Sequence, residues 1–225
     1  MKKRRLLVAL LSVLVGWGTA GMAQADPPVV QFLAGDQPRS WFECANAGIS
    51  RSGLGGVPQV GSVGAVGQKS LAVIHPGESV GFPSLGGRTR ASHTASSLVY
   101  PTGAQNMPVI LPVNFQDPKP IEDQTVILWD PGLYVFACSI HPYMFAAVIV
   151  DDPTTNGLDL GNTVTLVNGL GHPADAPTFR QIPTSSDVAT RLLRTFFIAT
   201  NPGNWQNYAS SAPWHVVYPN VDVKV

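Results

Sequence analysis

Twice in this 225-residue chain a Pro-Gly pair separates two short apolar runs. "SLAVIHPGESVGF" turns at Pro76–Gly77 and "QTVILWDPGLYVFAC" turns at Pro131–Gly132. Proline presets the backbone of a tight turn and glycine completes it, so each pair ends one segment and starts another. The flanking runs are rich in Val, Ile, Leu and aromatic residues and are too short for helices. With 22 glycines, 20 prolines and only 12% charged residues, short strands joined by many turns are expected in place of long helices. The expected fold class is all-β.

The segments can be placed along the chain. "VVQFL" reads as a strand and leads into an aromatic stretch around Trp41 and Phe42. Residues 48–67 hold seven glycines and almost no charge, which reads as a long surface loop. The proline-broken stretch 101–120 reads as loop as well. In "GLYVFAC" the two-residue alternation puts Tyr134, Phe136 and Cys138 on one face. "FAAVIVDD" reads as a strand ended by Asp151, Asp152 and Pro153. "SSDVATRLLRTFFIAT" is the one expected helix. Ser185, Ser186 or Asp187 starts it, and Val188, Leu192 and Phe196 share a face.

The first 25 residues combine a basic start (Lys2, Lys3, Arg4, Arg5), an apolar run from Leu6 to Val15, and small residues at Ala23 and Ala25. This is the pattern of a secretory signal cleaved after Ala25. The apolar run is shorter than a membrane span requires, and no later stretch has an unbroken apolar run of that length. A periplasmic or secreted protein without a membrane span is expected. Removing the signal takes four of the fourteen basic residues and none of the fourteen acidic ones, leaving a formal charge of −4. No basic patch points to nucleic acid, and that class of function is set aside. The organisation read from the chain is a signal peptide (1–25), an N-terminal strand and Gly-rich loop (26–67), a core (68–153), and a C-terminal extension (154–225). The extension carries Leu166, Leu192, Leu193, Phe196, Phe197, Trp205 and Trp214, too apolar for a free tail, and is expected to pack on the core.

The chemistry concentrates in "FACSIHPYM", where Cys138, His141 and Met144 stand three residues apart. A type 1 copper ion takes a thiolate and two imidazoles in a roughly trigonal set, with a weak axial thioether. One short turn offers three of these four donors. The fourth, a histidine from a sequence-distant strand, is matched by His93 in "RASHTASS". The competing readings are a Cys44–Cys138 disulfide, as expected of an exported pair, Met144 as plain core, and another histidine in place of His93. His75 reads as a turn residue, His172 as a loop residue and His215 as part of a strand. If Cys138 binds metal, Cys44 is left as a buried free thiol.

"PGLYVFACSIHPYM" followed by "FAAVIVDD" resembles the final hairpin of the cupredoxins, the blue copper proteins, and its short ligand loop is most similar to that of the amicyanins. "VIHPGESVGF" and the later "SHT" resemble the family's preceding hairpin and first histidine ligand. The resemblance covers about residues 68–152. It implies a Greek-key β-sandwich, one type 1 copper held by His93, Cys138, His141 and Met144, and one-electron exchange with redox partners such as a c-type cytochrome or a periplasmic oxidoreductase. His141, flanked by Ile140, Pro142 and Tyr143, would lie at the apolar exchange surface. Two departures stand out. Many members place Asn after the first histidine, tying the two ligand loops, where this chain has Thr94. Short-loop members usually have proline where this chain has Ile140. The alternative is a copper delivery or storage protein on the same frame. A redox enzyme would need an open coordination position or a second metal, for which no clear ligand set is present.

Overall fold

The computed structural model describes residues 28–35, 41–44, 71–83, 92–113, 124–141, 144–172, 174, 176–200 and 222–225, with side chains 33, 35, 41, 43, 44 and 196–200 outside the description. The signal pattern, the glycine-rich stretch 48–67, Trp205, Trp214 and His215 lie outside the described residues. In chain order the elements are β1 (Val30–Gly35), β2 (Trp41–Cys44), β3 (Leu71–Ile74), β4 (Glu78–Gly81), β5 (His93–Pro101), β6 (Ile110–Val113) and β7 (Thr125–Leu128). There follow β8 (Gly132–Ala137), β9 (Phe145–Val150), β10 (Leu158–Asp159), β11 (Thr163–Asn168), β12 (Thr178–Pro183), the helix α1 (Asp187–Thr200) and β13 (Val223–Lys224).

Two sheets pack face to face. The smaller has the order β2-β1-β4-β7, and the larger has the order β12-β11-β5-β8-β9-β3, with β6 beside the first half of β5. Between them lies one core. Phe32, Phe42, Val80, Phe82, Val126 and Leu128 come from the smaller sheet's side, and Ile74, Ala95, Tyr134, Phe136, Ala146 and Val148 from the larger. The Phe82 ring meets Phe32 at 5.7 Å, Phe42 at 5.4 Å and Phe136 at 5.0 Å between centroids, so an aromatic cluster spans both sheets. Edge-to-face pairs of this kind add to the area they bury. This is the expected all-β Greek-key sandwich, with a single helix among the described residues.

The Pro-Gly turns work differently from a hairpin reading. β3 pairs with β9 in the larger sheet, whereas β4 pairs with β1 and β7 in the smaller. Likewise β7 lies in the smaller sheet and β8 in the larger. Both turns therefore carry the chain across the sandwich. A turn signal marks where a strand stops, but which strand it pairs with depends on distant segments.

Other strands were hidden by composition. The stretch 101–120, expected as loop, contains β6, which pairs antiparallel with β5 from His93↔Val113 to Ser96↔Ile110. Pro112 is tolerated there because β6 is an edge strand and its missing N–H breaks no second ladder. The region beyond residue 153 supplies more than a helix. β11 joins β5 through Val164↔Pro101, Thr165↔Tyr100 and Leu166↔Val99, and β12 extends the sheet beyond it.

This addition explains a burial pattern that a two-layer sandwich does not. β8 and β9 are buried on both faces along almost their whole length. Their outer face, with Leu71, Val73, Val99, Leu133, Val135, Ala147 and Ile149, is covered by Leu158 of β10 and Leu160 just after it, and Val164 of β11 and Leu193 of α1 complete the cluster. Each such side chain removed from water contributes about 1.5–3 kcal/mol. Ser186 caps α1, its Oγ accepting from the Ala189 N–H at 3.3 Å. The inward face of the helix differs from the expected one. Ala189 and Leu193 are buried, while Val188 and Leu192 are exposed, and Phe196 lies outside the described side chains. The i, i+4 spacing named an apolar stripe but not the edge of it that meets the sheet. No helix among the described residues is long and apolar enough to cross a membrane.

Candidate metal centre

Strand alternation carries Tyr134 and Phe136 into the inter-sheet core, and Cys138 follows them one residue past the end of β8. The loop that begins there closes on itself. The Cys138 N–H donates to the Met144 carbonyl at 3.0 Å, and the Met144 N–H donates to the His141 carbonyl at 2.9 Å. His93 arrives from the start of the neighbouring strand. β5 pairs with β8 through Ser96↔Ala137 and Ser97↔Phe136, with Leu98 bulged out beyond. Carried past the end of β8, this register sets Ala95 beside Cys138 and Thr94 beside Ser139. The two sequence-distant segments meet at one end of the larger sheet.

Three donor atoms converge there. Cys138 Sγ lies 3.7 Å from His93 Nδ1 and 3.7 Å from His141 Nδ1, and the two Nδ1 atoms are 3.0 Å apart. His93 and Cys138 are buried and His141 is half-buried. Among the described residues these three form the one group of His, Cys, Asp or Glu close enough to share an ion. Cys138 is a free thiol, so the disulfide reading with Cys44 does not hold. Met144 is fully buried at the neck of the loop.

The sulfur is prepared as an anion. Burial pushes the Cys138 thiol up, but the His93 ring and the N–H groups of Thr94, His141 and Ile140 outweigh it and bring the thiol down from 9.0 to about 6. Two of these N–H contacts are at 3.5 Å from Thr94 and 3.3 Å from His141. A thiolate with two imidazole nitrogens is a soft donor set suited to copper. The spacing fits a single ion. Two donors spread about 120° around a first-row metal at roughly 2.0–2.3 Å stand about 3.5–3.8 Å apart, and both sulfur–nitrogen separations are 3.7 Å. The nitrogen–nitrogen separation is shorter, at hydrogen-bond length.

The other histidines lie elsewhere. His75 sits at the β3–β4 turn, its N–H donating to Glu78 Oε2 at 2.6 Å and its Nδ1 3.1 Å from the Asp151 carbonyl. His172 lies in the loop after β11 and lines a cavity that also touches Cys138.

Sequence reasoning noted Thr94 as a departure but missed what surrounds it. Thr94 Oγ1 accepts the Ser139 N–H at 2.9 Å and contacts Ser96 Oγ at 2.9 Å and Ser139 Oγ at 2.8 Å. One hydroxyl thus ties the residue after His93 to the residue after Cys138. The signal available was the juxtaposition of "HTAS" and "CS", each placing hydroxyls directly after a ligand.

No family model and no curated protein matches the chain. Among solved structures it is similar to a copper-containing nitrite reductase from Thermus scotoductus SA-01, at 25% identity and a TM-score of 0.28, over 37% of this chain and 20% of that one. The chain therefore spans about a fifth of the nitrite reductase. It is also similar to a purple cupredoxin from Nitrosopumilus maritimus, at 14% identity and a TM-score of 0.32, over 54% of this chain and 98% of that one. A pseudoazurin from Sinorhizobium meliltoi matches at 20% identity and a TM-score of 0.27, over 56% of this chain and 73% of that one. In its sandwich and its His–Cys–His cluster the chain resembles the cupredoxins, and the cluster fits a copper ion.

Proposed function

We propose that this chain is an exported electron carrier with one type 1 copper, held by His93, Cys138 and His141 with Met144 as the weak axial ligand. The observation that carries the reading is the convergence of one buried thiolate and two imidazole Nδ1 atoms at one end of a rigid sheet. When bound, copper supplies a one-electron cycle between Cu(I) and Cu(II). The residues of the chain do the rest. The backbone bonds that join Cys138 and His141 to Met144, together with the Thr94 tie, hold the donors in place, which keeps reorganisation between the two states small. Burial of Cys138 and Met144 keeps water from the sulfur atoms.

Electrons leave on the His141 side. His141 is half-buried and its neighbour Ile140 is 54% exposed, so an apolar margin beside a ligand faces solvent. A c-type cytochrome or another periplasmic oxidoreductase is the class of partner that such a surface suits. Export rests on the N-terminal pattern of residues 1–25. Four protein donors leave no open coordination position, which favours carriage over catalysis.

The test is the visible spectrum of the copper-loaded protein, repeated on Cys138→Ala. An intense Cu(II)–thiolate band that disappears in the variant is expected, with one copper per chain. Copper bound without that band would overturn the carrier reading in favour of delivery or storage. A second copper per chain would reopen the enzyme reading.

A further inference from the structure

A cavity of about 240 Å³ lies behind Cys138, and its lining joins two parts of the chain that the copper site does not require to meet. Ser96, Cys138 and Ser139 form one wall, and Asn168, Gly169, Leu170 and His172 from the turn after β11 form another. The first wall carries the two ends of a chain of hydroxyls, Ser96–Thr94–Ser139. Its capacity can be counted. A threonine hydroxyl has one proton and two lone pairs. Thr94 Oγ1 accepts the Ser139 N–H, which leaves one donation and one acceptance for its two hydroxyl neighbours. Thr94 is then saturated, and its position is set by both Ser96 and Ser139.

Those two serines lie beside the turn after β11. A Cβ added to Gly171 would lie 3.1 Å from Ser139 Oγ, 3.3 Å from Ser96 Oγ and 3.4 Å from Ser139 Cβ. Contacts that short oblige a neighbour to give by a few tenths of an ångström, so both ends of the hydroxyl chain occupy the space that a side chain at 171 would need. The turn itself is fixed by the β11–β12 ladder, which begins at Asn168↔Thr178, and by the His172 N–H donating to the Gly169 carbonyl at 3.1 Å.

We infer that the turn at residues 169–172 is a positioning element of the metal centre: Gly171 clamps Ser96 and Ser139, and through Thr94 it fixes the relative placement of the His93 and Cys138 segments. This rests on the copper reading and extends it, because it gives the C-terminal extension a part in tuning the site. Bonding around ligands, more than the ligands alone, orients donors and adjusts a metal's properties.

The test compares Gly171→Ala with Gly161→Ala in the full chain. The two glycines share a φ of 77°, where any side chain is strained, but a Cβ at Gly161 meets Pro101 at an ordinary 3.5 Å and no part of the site. Backbone strain is therefore matched, and only the clamp differs. Gly171→Ala is expected to shift the reduction potential and the Cu(II)–thiolate band, while Gly161→Ala leaves both in place. Adding Ser139→Ala to Gly171→Ala removes the nearest clashing atom and should diminish the difference between alanine and glycine at 171.

A second readout needs no copper. Hydrogen exchange at the Ser139 amide, which donates to Thr94 Oγ1, should be faster in Gly171→Ala than in Gly161→Ala. Equal exchange rates in the two variants, or an unchanged potential and band in a copper-loaded Gly171→Ala, would overturn the inference while leaving the copper reading intact. Loss of the band in the unaltered protein would sink the copper reading instead, and the exchange comparison would still decide whether the clamp exists. Should Gly171→Ala not fold, Ser96→Ala removes one clamped hydroxyl without adding atoms. It is expected to shift the band and to accelerate Ser139 exchange, and no change in either would overturn the inference.

Discussion

β5 and β8 run side by side, and the polar groups at their two ends are arranged in opposite ways. At the far end each donor finds an acceptor. The Tyr134 hydroxyl donates to the Asp130 carbonyl at 2.8 Å, the Gln105 N–H donates to Asp130 Oδ2 at 2.7 Å, and the Thr102 and Thr165 hydroxyls meet at 2.9 Å. Burial and the Asp130 charge push the Tyr134 phenol up, keeping it a neutral donor. At the near end one sulfur and two ring nitrogens point at one another. Only protons or a shared cation can satisfy such a triangle. The far end is a set of matched pairs that stabilises the fold, whereas the near end is a convergent donor set that fits a metal ion. Partner matching distinguishes them.

The strongest way to break this comparison is to remove one corner of the triangle. His93→Ala should abolish the type 1 spectrum of the copper-loaded protein, and added imidazole should restore it by occupying the opened position. Unchanged colour without imidazole would remove His93 from the site. Next in size is the far end. Tyr134→Phe deletes one matched hydrogen bond and should lower unfolding stability by about 1 kcal/mol. Its visible spectrum should match that of the unaltered protein. A spectral change in this variant would mean that the two ends are coupled through the strands.

The copper-free protein sharpens the same contrast through pH. The Cys138 thiol is held below its ordinary value, so between about 6 and 9.0 the unfolded chain binds more protons than the folded one. The stability from this group is present above 9.0, declines as the pH falls, and is gone below about 6. Thiolate absorbance in the ultraviolet, followed against pH in Cys44→Ser protein so that Cys138 is the one thiol read, should show a step near 6 in folded protein. A step near the free-thiol value would contradict the anionic character assigned to the near end. The smallest effect is expected at the axial position. Met144→Gln should keep copper bound and coloured while lowering the reduction potential, because an oxygen donor favours Cu(II) over Cu(I) relative to a thioether. If potential and spectrum both stay the same, Met144 is core and not ligand.

What the sequence by itself determined is local. Strand alternation of period two already placed Tyr134, Phe136 and Cys138 on one face, and the three-residue spacing put Cys138, His141 and Met144 on one short loop. Turn chemistry located the breaks at Pro76–Gly77 and Pro131–Gly132. The start of α1 was narrowed to three residues, of which Ser186 is the cap. These are properties of a few consecutive residues, set by backbone sterics and side-chain direction.

What the tertiary structure decided lies between segments. Only the register of β5 on β8 brings His93 to Cys138 and Thr94 to Ser139, across a separation of 45 residues in each case. Only sheet assignment shows that the Pro-Gly turns cross the sandwich, and that β6 and β11 share one edge of β5. The inward face of α1 fell on Ala189 and Leu193, where the helix packs beside β12 and Leu193 joins the outer apolar cluster, a placement invisible within the helix itself. The approach of the Gly171 turn to Ser96 and Ser139 arises the same way. An apolar residue specifies that it must be buried, and a polar one that it must be matched. Neither specifies by what, because burial and hydrogen bonding act at contact distance in space and not along the chain.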